Sequence, residues 1–248
     1  ALPMLVAQIF NLLYNVVDRI YIARIQDVGT TALGAVGLCF PLIVIITAFA
    51  NLFGSGGAPV FSINRGMKDN QKAQEVMNTS FTMVCGSGII LMIAGMLFAR
   101  PLLVLFGASE DALVYAYPYM MIYLIGTVPS MIATGMNPFI NAQGYATTGM
   151  LSVAIGAVAN LILDPLFIFV FGFGIKGAAI ATVLSRYVEA AIIIIWSHTH
   201  TEKMPFAKGL YSTLKVPANL TKKILIKGTP LLLNETLWAA GMAILTQC

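Results

Sequence analysis

The 248 residues are 58% hydrophobic and only 10% charged, with a mean hydropathy of +0.86, whereas a soluble globular domain carries roughly 25% charged residues. That composition excludes a water-soluble enzyme or binding module and calls for a chain embedded in lipid. The formal charge of +4 does not point to nucleic acid, because the basic residues cluster in connections between apolar stretches, as the positive-inside rule asks.

Residues 28 to 64, 76 to 99 and 112 to 163 contain no charged residue, and each interval can supply one or two spans of about 20 residues. Charge gaps and Gly/Pro punctuation predict membrane helices at 1–23, 34–62, 76–99, 113–140, 148–171 and 177–197, with a seventh beginning near Thr229. The fold class is therefore all-α and polytopic: a six-helix transmembrane lobe over 1–197, a cytoplasmic linker over 198–228, and over 229–248 the cut-off first helix of a second lobe. Both ends read as cut inside apolar runs, and the start lacks the charged n-region of a signal peptide. Alternating the loops puts Arg65, Lys68, Lys72, Lys203, Lys208, Lys215, Lys222, Lys223 and Lys227 on one side, against Arg19, Arg24, Arg100 and Lys176 on the other. The richer side is cytoplasmic, which places the N-terminus in the cytoplasm. In the linker Leu210, Leu214, Leu220, Ile224 and Leu225 alternate with lysines, a pattern that fits either a segment on the anionic inner leaflet or a solvated tether. Cys39, Cys85 and Cys248 stand alone without CxxC or Cys/His spacing and read as small core residues.

Polar residues recur at helical spacing inside these spans. Gln8, Asn11, Asn15 and Asp18 share one face of the first. Thr127, Ser130, Thr134, Asn137 and Asn141 repeat the device on the fourth, and Gly156, Asn160 and Asp164 on the fifth. Three such stripes imply one shared hydrated cavity. Isolated Ser, Thr or Asn side chains mostly join helices, but an ionised carboxylate at mid-bilayer costs about 2.5 to 3.5 kcal/mol, so a stripe that ends in one points to use. In Asn160-Leu-Ile-Leu-Asp164-Pro165 the amide stacks on the carboxylate and the proline frees a backbone carbonyl, an oxygen-rich nest for Na⁺ or for a proton. Pro3, Pro41, Pro129 and Pro138 mark bends within or at the ends of other spans. Arg186 and Glu189 lie one turn apart on the sixth span and are expected to pair, with Thr182 on the same face. Glu235 is a lone acid in the seventh. Pro3-Met-Leu-Val-Ala-Gln8 is echoed by Pro230-Leu-Leu-Leu-Asn-Glu235, a faint repeat of the kind that opens two halves of a transporter.

Four motifs carry a resemblance: Pro3 through Val-Val-Asp18-Arg-Ile-Tyr-Ile, Asn137-Pro-Phe-Ile-Asn-Ala-Gln-Gly144, Asn160-Leu-Ile-Leu-Asp164-Pro165 and Gly177-Ala-Ala-Ile-Ala-Thr182. In this order the chain resembles the MATE family of multidrug and toxic compound extrusion transporters, closest to its prokaryotic DinF-like branch. The resemblance implies a twelve-helix fold in two lobes around a cavity, of which this chain is the first lobe plus part of helix seven, in a prokaryotic plasma membrane. It also implies antiport of cationic or amphipathic drugs against H⁺ or Na⁺, with no cofactor and with a C-terminal lobe as the obligatory partner. Carried over residue by residue, the coupling-cation site falls on Asp18, Asn160, Asp164 and Thr182, and the helix-bending proline on Pro3. The substrate cavity falls on Asn11 and Asn137, joined from the stripes by Asn15 and Thr134. Glu235 matches a helix-seven acid of other branches and is a candidate second-lobe cation site, whereas Arg186 has no counterpart role. Rival readings are a flippase for lipid-linked saccharides, whose cavity should be lined by cations, and a non-transporting structural or interaction protein. An intramembrane enzyme is disfavoured, since His198 and His200 both fall in the linker.

Overall fold

The computed structural model describes residues 2–25, 28–199 and 216–245; the linker positions His200, Lys203, Lys208, Leu210, Leu214 and Lys215, together with Cys248, lie outside the described residues. Every regular element among the described residues is helical: α1 (Leu2–Ala23), α2 (Gly29–Gly66), α3 (Asn70–Leu105), α4 (Glu110–Ile125), α5 (Thr127–Ala142), α6 (Ala146–Pro165) with a π-turn at Leu166–Val170, α7 (Ile175–Thr199) and α8 (Ala218–Leu245). Helices α2, α3 and α7, and α6 with its π-turn, are each long and apolar enough to cross a bilayer, and α4 with α5 makes a fifth as a bent pair. Helix α1 has 22 residues, or about 33 Å at 1.5 Å per residue, enough for a hydrocarbon core of about 30 Å; its polar stripe is what keeps it out of the apolar set. The outside is as apolar as the core, with Leu97, Leu2, Ile90 and Ile162 exposed, while Asp18, Asn160, Asp164 and Glu189 are buried. This inversion is the arrangement that lipid as solvent favours.

Several boundaries differ from the sequence expectation, α2 running over Gly29–Gly66 and α3 on to Leu105 among them, and three of the differences have a clear local reason. The fourth span is bent by 56° between α4 and α5, because Pro129 has no N–H to give the Ile125 carbonyl and its ring crowds that turn, so the break falls at Gly126. Helix α3 starts earlier than position 76, at Asn70, because Asp69 caps it: its carboxylate accepts from the Lys72 N–H at 3.0 Å and pairs with Lys72 Nζ at 2.9 Å. The backbone hydrogen bond from Lys72, reinforced by its ammonium, holds the Asp69 carboxyl below the usual carboxylate range. Helix α8 begins at Ala218 rather than near Thr229. Leu220, Ile224 and Gly228 bury one stripe at steps of four while Lys222, Lys223 and Lys227 stay exposed, so this lysine-rich stretch is an amphipathic first half of a helix and not a tether.

Helix α2 is the hub, flanked by α3, α5 and α8, while α1 packs mainly along α6 and α6 along α7. Its Gly54-Ser-Gly-Gly57 run makes that position possible. A Cβ on Gly54 would lie 2.1 Å from the Gly135 carbonyl oxygen of α5, and one on Gly56 would lie 2.8 Å from the Gly228 Cα of α8. Lipid tails are as apolar as leucine, so helices associate in a bilayer through such close backbone approach instead of through apolar burial. Gly56→Leu in the full-length protein is expected to force α8 off α2 and to destabilise the fold by about 1 to 3 kcal/mol, the usual cost of overpacking. Thermal unfolding in detergent checks this, and an unchanged midpoint would contradict the packing account.

Candidate functional site

The stripes of α1 and α6 meet. Asp18 is 9% exposed and Asp164 0%, and their carboxyl groups face one another within hydrogen-bonding reach. One turn before Asp164, the Asn160 amide points Nδ2 at Asp164 Oδ1 (3.4 Å) and at Thr182 Oγ1 of α7 (3.5 Å), so all four expected cation-site residues come together across three helices. Asp18 Oδ1, Asn160 Oδ1 and Asp164 Oδ2 are buried oxygens with no hydrogen-bond partner. A buried acceptor left unpaired costs about 1 to 3 kcal/mol, and two carboxylates in contact repel unless a cation joins them. Three such oxygens in one place form a nest that a proton or a small metal cation satisfies.

The backbone beside the nest is irregular. Pro165 cannot donate to the carbonyl one turn back, and the helix widens at once into the π-turn Leu166–Val170, where the Phe171 N–H reaches the Leu166 oxygen at 2.9 Å. Buried Tyr119 of α4 (3% exposed) lies within electrostatic reach of both carboxyls and stacks on Tyr123, ring centroids 6.3 Å apart. These tyrosines carry no signal in a reading of polar stripes, although Tyr115, Tyr119 and Tyr123 repeat at steps of four.

Asp18 and Thr182 also line a cavity of about 600 Å³. All four expected substrate-cavity residues, Asn11, Asn15, Thr134 and Asn137, line it, as do Glu235 and Trp238 of α8. A further stripe, Thr47, Asn51 and Ser55 at steps of four along α2, also lines it. The amides differ in what they have left to offer. Asn15 donates to the Asn11 carbonyl at 2.7 Å. Asn137 donates to the Gly149 carbonyl (2.9 Å) and to Ser152 Oγ (3.2 Å) and accepts from Asn141 Nδ2 (2.9 Å), so it joins α5 to α6. Arg186 and Glu189 pair at 2.7 Å, as their spacing predicted, and Arg186 also donates to the Tyr14 hydroxyl of α1. Pro3 stands in the first turn of α1, which runs unbroken to Ala23. Among the described residues no group of three or more His, Cys, Asp or Glu side chains is placed to hold a metal ion.

The MatE family model matches residues 3–166. The multidrug export protein MepA of Staphylococcus haemolyticus is 26% identical over 206 residues, 83% of this chain and 45% of that protein. An outward-facing multidrug resistance MATE family transporter of the MOP superfamily is 28% identical with a TM-score of 0.84, covering 94% of this chain and 51% of its own. An inward-facing counterpart gives 27% identity and the same TM-score, over 95% and 56% of the two chains. The chain thus spans about half the length of the relatives it matches. With a family match over well more than half of its residues, and a helical membrane lobe of matching shape, this chain belongs to the MATE transporter family.

Proposed function

We propose that this lobe is half of a secondary antiporter that exports cationic or amphipathic organic compounds in exchange for H⁺ or Na⁺, and that Asp18, Asn160, Asp164 and Thr182 take up the coupling ion. The observation that carries the reading is the contact between two buried carboxyls, each with one unpaired oxygen, beside the unpaired amide oxygen of Asn160. A cation that enters this nest removes the repulsion between Asp18 and Asp164 and draws α1 to α6. Because Asp18 also faces the cavity, the same event subtracts negative charge from the substrate's compartment and weakens its hold on an organic cation. Pro3 supplies the bend through which α1 responds, and Asn11, Asn15 and Thr134 offer polar contacts to the cargo. The driving force is sufficient: one charge crossing 100 mV yields about 2.3 kcal/mol, and a 100-fold change in affinity needs about 2.7, the remainder coming from a modest ion gradient.

The equal match to outward-facing and inward-facing relatives supports a lobe that moves as a body against its partner, the C-terminal lobe, with the N-terminus in the cytoplasm of a prokaryotic cell. A saccharide-lipid flippase is the weaker reading, since the cavity's cations, Arg19 and Arg186, face three acids, Asp18, Glu189 and Glu235.

In cells that express the full-length protein, Asp18→Asn and Asp164→Asn are each expected to reduce ethidium efflux to the level of cells without it. Efflux at the wild-type rate in either variant counts against the site. An imposed pH gradient and an imposed Na⁺ gradient, applied separately, identify the ion by which of them drives uptake into vesicles. Asn137→Ala is expected to behave differently: the loss of its α5–α6 bonds should lower the unfolding temperature in detergent by several degrees while ethidium affinity changes less than about threefold, because a typical hydrogen bond contributes about 1 kcal/mol to stability.

A further inference from the structure

Outside the carboxylate pair, the cavity wall holds a second charged group. Arg186 projects from α7 so that its guanidinium lies over the ring of Tyr14, 5.3 Å from the centroid. One terminal nitrogen donates to Glu189 Oε2 at 2.7 Å and the other to the Tyr14 hydroxyl. Nε is buried with no partner. Glu189 is 4% exposed and fits against α6 where Gly156 leaves room, since a Cβ there would stand 3.3 Å from Glu189 Oε2. Tyr14, Arg186 and Glu189 all border the 600 Å³ cavity.

An aromatic face within about 6 Å of a cation, combined with a carboxylate, is the chemistry that recognises organic cations in desolvated pockets. Here the chain's own guanidinium occupies that position. An arginine built to receive an anion would present its donor edge to the cavity, but two of the three nitrogens already donate to groups of this chain and the third is buried. We infer that Tyr14 and Glu189 form an organic-cation subsite in the cavity wall, and that Arg186 is a resident competitor which sets specificity by admitting only ligands able to displace it. The subsite deepens the proposed function and rests on it only in taking the cavity as the compartment for organic cations. It also gives displacement a route to α1. Arg186 bridges α7 to Tyr14, one turn from Asp18, so a ligand that takes its place releases that strut.

The test measures equilibrium binding of tetraphenylphosphonium to the purified full-length protein. Arg186→Gln is expected to tighten binding about tenfold, the order of a desolvated cation–π contact, and Glu189→Gln added to it is expected to remove the gain. In Arg186→Ala, millimolar guanidinium ion should compete with tetraphenylphosphonium and raise the unfolding temperature, and it should do neither in the wild type. Arg186→Lys keeps a charge opposite Glu189 but cannot reach both partners; it covers the case in which the neutral variants do not fold, and is expected to bind more tightly than wild type by a smaller factor. Unchanged or weaker binding in the folded Arg186 variants, or a gain that survives Glu189→Gln, overturns the subsite. Failure of the wild type itself to bind the probe overturns the proposed function, and this inference with it. Selective loss of carboxylate-bearing ligands from Arg186→Gln would assign the arginine to anions and overturn it as well.

Discussion

An acceptor oxygen buried in a bilayer has no water to turn to, and that constraint organises this lobe. Most of its polar side chains obey it locally. Thr47, Ser62, Thr79, Thr82 and Ser197 each donate to the carbonyl one turn back, and Asn137 links Asn141 to Ser152 between α5 and α6. Against that background the unpaired oxygens of Asp18, Asn160 and Asp164 stand out, since all three lie in one nest and two belong to acids. On the proposed reading, this cluster holds free energy that the binding of a cation releases.

On the proposed reading, the scaffold holds that nest between helices that move. Helix α2 grips α5 and α8 through Gly54–Gly135 and Gly56–Gly228 contacts that no larger residue would permit. Helix α1 is different in kind. It packs mainly along α6, exposes Leu2, Leu5, Leu12 and Leu13, and buries only Asp18 and Ile22. Besides this packing, it meets the lobe through two polar contacts one turn apart, Asp18 with Asp164 and Tyr14 with Arg186. Polar contacts can be exchanged for ligands, which packed glycine seams cannot.

Much of this was legible in the sequence because polarity is expensive in lipid. Asp18, Asn160 and Asp164 could be named from their places in apolar runs and Thr182 through the family resemblance; of the three stripes, those of α1 and α5 line the cavity, whereas Gly156, Asn160 and Asp164 of α6 do not. Boundaries were less legible. Charge gaps place a helix end at the first charged residue, yet Arg65 rides in the last turn of α2, where a cation suits the helix dipole, and Lys222, Lys223 and Lys227 ride on α8. The break at Gly126 was written in Pro129 but masked by an uninterrupted apolar composition. Thr47, Asn51 and Ser55 make a short stripe with no acid in it, and the tyrosines of α4 read as apolar by composition. What periodicity along one chain could not supply was the register between helices, which decides that Arg186 meets Tyr14 as well as Glu189.

Register also explains how one residue can serve two compartments. Asp18 touches Asp164 behind it and faces the cavity in front, so on the proposed reading neutralising the pair alters the field that a cargo experiences without any movement of the cavity wall. Unit charges about 8 Å apart at an effective dielectric near 20 interact by about 2 kcal/mol, which corresponds to a change in affinity of roughly 30-fold. The carboxylate of Glu189 does not add freely to this effect, because Arg186 cancels it at 2.7 Å. On the proposed reading, the arginine therefore leaves the switchable charge of Asp18 as the dominant negative term on the α1 side of the cavity, so that loading the nest changes the compartment's sign there instead of merely lowering an excess.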